Sequence, residues 1–346
     1  MGSQVIQAPN IHTGGGKVLL RYLLNALDLE TDYLLVLDAR LDLAIPEQPN
    51  IRVKYVTPSL IGRLWAEVWL FREVESGDKV LCFGNLPPLF RLKAEVTVFV
   101  QNRYLLEMVE LSAFPIKTRL RLMAERLWLR WRKHHVDRFV VQTPSMQRLV
   151  LENLRMSAHV VPFIDLQGPY PRSMPTVHAA KEAAFDFIYV ASGDPHKNHR
   201  TLIEAWCLLA EDGLFPSLVL TLDARRYTDL CRWVDEKSKK HKIKVTNLGS
   251  QSHDDVMLLY SKVGALIYPS MIESFGIPLI EARMSGLAVL AAELDYVRDV
   301  IDPEESFDPG SPVSMVRAIK RHLGKKEEAL PLINGSSFLR MVLERE

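Results

Sequence analysis

The sequence predicts an α/β fold: two doubly wound, Rossmann-like domains facing each other across a cleft. Three observations carry this. Short apolar runs alternate with segments of helical periodicity along the chain. The runs are nearly continuous in apolar character, as strands buried on both faces of a parallel sheet are; YLLVLD at Tyr33–Asp38 is one. The alternation lapses in a stretch holding Gly168, Pro169, Pro171 and Pro175, then begins again. A length of 346 residues agrees with about two domains. The expected division is 1–165 for the N-terminal domain, 166–184 for a linker and 185–325 for the C-terminal domain. A tail at 326–346 is expected to pack back on the N-terminal domain.

Composition narrows the class. Apolar residues make up 48% and charged residues 25%, with a net charge of +1, so neither nucleic acid nor membrane attracts the molecule as a whole. The three cysteines, Cys82, Cys207 and Cys231, form no C-x-x-C and read as reduced thiols. No apolar run is long enough to span a bilayer. The N-terminus shows no signal-peptide pattern. A cytoplasmic protein is expected.

In the first half, strands are expected at 4–8, 33–38, 51–56, 79–83, 95–100 and 138–142, with a short one at 159–163. Gly14-Gly15-Gly16-Lys17 reads as a loop leading into a helix, with His12 just before it. Glycines at such a junction let a phosphate or sugar approach backbone N–H groups. Residues 57–74 read as a helix rich in Trp and Leu. The loops at 12–17, 84–88 and 101–104 follow strands and should line one crevice.

Residues 115–138 stand apart. They hold Lys117, Arg119, Arg121, Arg126, Arg130, Arg132, Lys133 and Arg138 against two acids, with leucines and tryptophans interleaved. A basic helix with Leu and Trp on its other face suits an anionic membrane surface; the alternative is a sheet-covering helix with a solvated basic face. Thr143 is expected to cap a helix that begins at Pro144.

The second half repeats the alternation. A strand at 185–192 is followed by the loop Gly193-Asp194-Pro195-His196-Lys197-Asn198 and a helix at His199–Glu211. Later come a helix capped by Ser252 and running to about Val263, a strand at 265–270 and the loop Met271-Ile272-Glu273-Ser274-Phe275-Gly276. A helix follows with Pro278 in its first turn and Glu281 in its interior. His196 and His199 lack a third ligand at metal-binding spacing.

The run Glu273-Ser274-Phe275-Gly276-Ile277-Pro278-Leu279-Ile280-Glu281 resembles the signature of glycosyltransferase family 4, E-x-F-G-x-P-x-x-E. VASGDPHKNHRTLIEA, beginning at Val190, is similar to that family's donor-phosphate loop. The resemblance implies a GT-B fold and a retaining, metal-independent transferase using a nucleotide-sugar donor and no cofactor. It implies that Glu281 accepts from ribose hydroxyls, that Glu273 faces the transferred sugar and that Lys197 neutralises the leaving diphosphate. Gly14, Gly15, Gly16, Ser192, Asn198, Ser274, Phe275, Gly276 and Ile277 would complete the donor site. Two departures stand out. Ser192 or Gly193 sits where many members have an arginine, so Arg225 or Arg298 would assist Lys197. Gln101-Asn102-Arg103 stands where members have a histidine, so Asn102 or Gln101 would contact the sugar, with His12 nearby. The acceptor is expected to be a lipid-linked glycan, as in polysaccharide or O-antigen assembly at the inner face of the plasma membrane. A GT-B epimerase or a non-catalytic nucleotide-binding partner protein are the alternatives.

Overall fold

The computed structural model describes residues 2–107, 111–112, 114–164 and 183–325. The N-terminal half is a seven-stranded parallel sheet. Its strands are β1 (Gln4–Ala8), β2 (Tyr33–Asp38), β3 (Ile51–Val56), β4 (Lys79–Cys82), β5 (Glu95–Phe99), β6 (Arg138–Val141) and β7 (Ala158–Val160), in the order β3-β2-β1-β4-β5-β6-β7. Among the described residues, four α-helices cover it: α1 (Gly14–Asn25), α2 (Leu60–Glu73), α3 (Ile116–Arg132) and α4 (Pro144–Leu154).

The C-terminal half is a six-stranded parallel sheet ordered β10-β9-β8-β11-β12-β13. Its strands are β8 (Phe185–Tyr189), β9 (Leu218–Leu220), β10 (Val245–Asn247), β11 (Val263–Tyr268), β12 (Ala288–Ala292) and β13 (Glu305–Phe307). Its helices are α5 (His199–Glu211), α6 (Thr228–His241), α7 (His253–Tyr260), α8 (Ile277–Met284), α9 (Asp295–Arg298) and α10 (Pro312–His322). In both sheets the strand order reverses beside the first strand of the half, at β1/β4 and β8/β11, where doubly wound folds bind ligands.

The physics of the elements is local. Every residue of β2 is buried, because helices lie on both faces of the sheet. Accordingly the N-terminal half has two apolar clusters, one around Val36, Leu70, Val98 and Phe139 and one around Leu20, Leu35, Leu37 and Phe83. The C-terminal core is centred on Phe187, Tyr189, Trp206 and Tyr260. The expected caps form: the side chains of Thr143 and Ser252 accept from the N–H groups of Met146 and Asp255, at 3.2 and 3.1 Å.

Four readings need correction. Gly14 to Gly16 are the first turn of α1 rather than a loop, since Gly14 at φ 67 turns the chain straight into the helix. The helix after Ser252 ends at Tyr260, and Val263 already belongs to β11. The sequence predicts strands at 217–223 and 243–248, and these are shortened to β9 and β10, three residues each, because pairing with β8 and with each other covers only those positions. Arg126 does not lie on a solvated basic face. It is buried, with Nε donating to Tyr104 O at 2.7 Å and Nη2 to Glu107 O at 2.9 Å. Most of the expected linker and the whole expected tail lie outside the described residues; at the linker's end, Ala184 N–H donates to Lys262 O at 2.8 Å.

One buried group makes stability depend on pH. His199 packs at a tilt against the Tyr189 ring, centroids 4.8 Å apart, with both ring nitrogens unpaired, and burial holds its pKa down at about 3. The unfolded chain binds this proton below about pH 6.5 and the folded chain does not. Stability is therefore complete above that pH and falls in acid by up to about 1.4 kcal/mol per pH unit from this residue. Replacing it in His199→Phe keeps the ring and removes the titration. Thermal unfolding between pH 7 and 4 should show a shallower acid decline than in the parent.

Candidate active site

The donor loop and the two-glutamate loop are 76 residues apart in sequence and adjacent in space, because β8 and β11 pair directly. Lys197 ends a single 3-10 turn, Pro195–Lys197, after β8. Glu273 lies in the loop after β11. Lys197 Nζ and Glu273 Oε1 form a hydrogen-bonded ion pair. Tyr268 OH donates to the same carboxylate oxygen at 2.9 Å. Burial pushes the Glu273 carboxyl upward, but Lys197 and the hydrogen bonds outweigh it, and the net shift is downward. The carboxylate thus stays ionised in a low-dielectric pocket, held by the Lys197 ammonium and the Tyr268 hydroxyl.

The second glutamate is deeper. Glu281 sits in α8, 4% exposed, and His253 Nε2 lies 2.8 Å from its Oε1. The helix starts where Gly276, at φ 72, reverses the chain, a conformation that glycine adopts without Cβ strain. Pro278 occupies the first turn, so its missing N–H costs nothing. The first N–H groups of α8 have no intrahelical partner and can receive oxygens of a ligand.

The N-terminal half meets this wall closely. A Cβ on Gly15 would lie 3.5 Å from Ile277 Cδ1, so the first turn of α1 faces the start of α8. Thr143 Oγ1 donates to Ser274 O at 3.4 Å, and Ser145 N–H donates to Asp299 Oδ2 at 3.0 Å. The Tyr104 ring packs edge-on against His196, with centroids 5.4 Å apart. The glycines of α1, the start of α8, Glu273 and Lys197 therefore border one cleft.

Other residues singled out from the sequence have different surroundings. Asn198 adopts a left-handed conformation, and its amide donates to Pro309 O at 2.7 Å and Pro269 O at 3.2 Å, tying loops together. Ser192 Oγ donates to Asp194 Oδ2 at 2.7 Å, and Tyr227 OH reaches the other oxygen at 3.1 Å. A Cβ on Gly193 would lie 2.5 Å from the Tyr227 ring, which explains the glycine there. Phe275 is buried. Gln101 Nε2 donates to Phe83 O at 2.7 Å, and its Oε1 faces Gly16. Asn102 Oδ1 accepts from Tyr104 N–H at 3.0 Å, capping a 3-10 turn. His12 Nδ1 is 3.7 Å from Asp38 Oδ2. Arg225 is exposed. Arg298 pairs with Glu293 at 2.6 Å and with Asp302, so its guanidinium is engaged by two carboxylates.

Sequence reasoning missed Tyr268, His253, Tyr22 and Tyr104. Tyr268 was read as one more strand residue. The other three gain their meaning from contacts across 28 to 231 residues, which no local pattern announces.

The chain is similar to known proteins in sequence and in fold. Residues 173–335 match the family model described as glycosyl transferases group 1. The O-antigen chain mannosyltransferase RfbU of Salmonella typhimurium is 32% identical over 122 residues, which is 35% of this chain and 33% of that protein. The serotype-specific mannosyltransferase WbdA of Escherichia coli is 25% identical over 224 residues, covering 58% of this chain and 27% of that protein. The chain thus spans only about a third of the length of these curated relatives. Among solved structures, sucrose-phosphate synthase from Thermosynechococcus elongatus superposes with a TM-score of 0.69 at 16% identity, covering 94% of this chain and 90% of that one. The lipopolysaccharide outer core galactosyltransferase WaaB gives 0.60 at 16% identity, with the same coverage. Anabaena HepE, solved with UDP and glucose, gives 0.64 at 14% identity, covering 93% and 90%. The chain has the GT-B fold, and its residues 173–335 are similar to the group 1 glycosyl transferases.

Proposed function

We propose that this protein is a retaining glycosyltransferase. It moves a hexose from a nucleotide-sugar to a hydroxyl of a glycan, in the assembly of an O-antigen-type polysaccharide. The curated relatives favour mannose as that hexose. The observation that carries the reading is the Lys197–Glu273 pair at the cleft, with Glu281 deeper in the same wall.

Each group then has a role. Glu281 accepts from the ribose hydroxyls. The N–H groups at the start of α8 and Lys197 receive the diphosphate. Glu273 faces the sugar, its position fixed by Tyr268. As the bond from the anomeric carbon to phosphate oxygen breaks, Lys197 meets the growing negative charge. The acceptor oxygen bonds to the same face of that carbon, and its proton passes to the leaving phosphate oxygen. Configuration is retained, and no separate base is required. Lys197 supplies the positive charge that a metal ion would otherwise supply, so activity is expected to persist in EDTA.

The acceptor is proposed to be lipid-linked and the protein to be cytoplasmic and peripheral on the membrane. Among the described residues no helix is long and apolar enough to cross a bilayer. Two helices nevertheless expose large apolar side chains. On α3 these are Ile116, Leu120, Met123, Leu127 and Trp131, spaced by three or four residues along one side. On α2 they are Leu60, Ile61, Leu64, Trp65 and Phe71. The helices adjoin, since the Arg63 guanidinium lies 5.5 Å from the Trp128 ring centre. Lys117, Arg121, Arg130 and Arg72 are exposed beside these side chains. A broad apolar face rimmed by cations fits an anionic lipid surface.

The direct test is to incubate the protein with UDP-, GDP- and dTDP-hexoses and acceptor glycolipid, and to follow nucleoside diphosphate release and anomeric configuration by NMR. Release with retention supports the proposal. An inverted product refutes the retaining mechanism. Nucleotide binding without release from any donor favours a non-catalytic partner protein.

A further inference from the structure

We infer that His253 is a positioning residue for nucleotide recognition: it fixes the Glu281 carboxylate in the orientation that receives the ribose diol. The inference rests on Glu281 being the ribose acceptor. Glu281 is buried, and a buried carboxylate requires donors. His253 meets that need as the first residue of α7, directly behind the cap Ser252, so its backbone is anchored. Because a carboxylate only accepts, the proton of this hydrogen bond is on Nε2.

The imidazole is itself held from the other half of the molecule. Tyr22, in α1, places its ring edge-on to His253, with centroids 6.3 Å apart and planes at 76°. Its hydroxyl oxygen lies 3.3 Å from the same Nε2. Arg21 and Asp254 are the neighbouring charges, with Asp254 Oδ1 3.6 Å from Nδ1. The ring is thus fixed by packing on one side and by a carboxylate on the other. It holds Oε1 and leaves Oε2 to a ligand. A vicinal diol that meets an already oriented carboxylate loses less freedom on binding than one that must also order the side chain. The contact also makes α1 part of the nucleotide site, although α1 belongs to the sheet opposite.

The effect to expect is selective for ribose. Isothermal titration would compare UDP and GDP with their 2′,3′-dideoxy counterparts on the parent, His253→Ala, His253→Gln and Glu281→Gln. His253→Ala should weaken the ribose nucleotides about 3–10-fold, the effect of freeing one side chain. It should leave the dideoxy nucleotides within about two-fold. His253→Gln can donate from a similar position and should recover part of the loss. Glu281→Gln should remove most of the preference for ribose. The inference is overturned if His253→Ala weakens both nucleotide types equally, or neither, while Glu281→Gln removes the preference. A Glu281→Gln protein that still prefers ribose would instead refute the ribose role of Glu281, and the inference with it.

Discussion

Glu273→Gln and Lys197→Ala should each reduce turnover of the nucleotide-sugar by about 10²–10³-fold, the range seen when one charge-stabilising group is removed from an active site. That is about 3–4 kcal/mol of lost transition-state stabilisation. The variants differ in what they leave behind. Lys197→Ala strands a buried carboxylate without its cation, at a cost of about 3–5 kcal/mol in stability. Glu273→Gln keeps the shape and leaves Lys197 without its anion in the empty site. It should therefore retain or strengthen nucleoside diphosphate binding while losing turnover. Lys197→Ala should lose both. Titration calorimetry alongside a coupled diphosphate-release assay separates them. Equal binding losses in the two variants would contradict the assigned roles.

The second large effect concerns the apolar face of α2 and α3. Trp65 and Trp131 are 65% and 66% exposed, and Leu127 is 69% exposed. Burying a side chain of this size in lipid is worth about 1.5–3 kcal/mol. The combined variant Leu64→Glu, Trp65→Glu, Leu127→Glu and Trp131→Glu should therefore abolish co-sedimentation with phosphatidylglycerol vesicles, while its melting temperature stays close to that of the parent. Arg130→Glu alone should lower vesicle binding in a salt-dependent way, by about 1 kcal/mol. Arg126→Glu makes a useful contrast. It should damage folding rather than docking, because Arg126 holds the carbonyls of Tyr104 and Glu107. A parent protein that ignores anionic vesicles would end the membrane proposal.

The fold was legible because each level of the sequence agreed. Strands such as β2 read as unbroken apolar runs, and Thr143 and Ser252 announced their helices by cap chemistry. The E-x-F-G-x-P-x-x-E run placed Glu273 and Glu281 on either side of a helix start, and the structure has that arrangement. The glycines at 14–16 were misplaced because glycine is a poor helix former, and its propensity points to a loop. Here the first turn of α1 packs beside Ile277 at the start of α8, a tertiary contact that local propensity does not register. Arg126 was misread for a related reason. Counting charges along a helix does not reveal which one turns inward to satisfy a neighbouring backbone. The Tyr22–His253–Glu281 contact was invisible because its members come from three helices in the two halves of the molecule.

The pairing of β8 with β11 also bears on how the site comes into being. Lys197 and Glu273 are delivered by neighbouring strands whose segments are far apart in sequence. Contacts of such separation close late, because the loop entropy between them must be overcome first. During synthesis at about 5–20 residues per second, Glu273 emerges about 4–15 s after Lys197. Once β9 has emerged, β8 has that neighbour, but its other edge stays open until β11 follows, and the ammonium has no carboxylate partner. The open edge of β8 is then the strand most in need of protection in the nascent chain. Arrival of β11 closes that edge and creates the active-site ion pair in the same event, so a chain that has not finished folding cannot display a complete site.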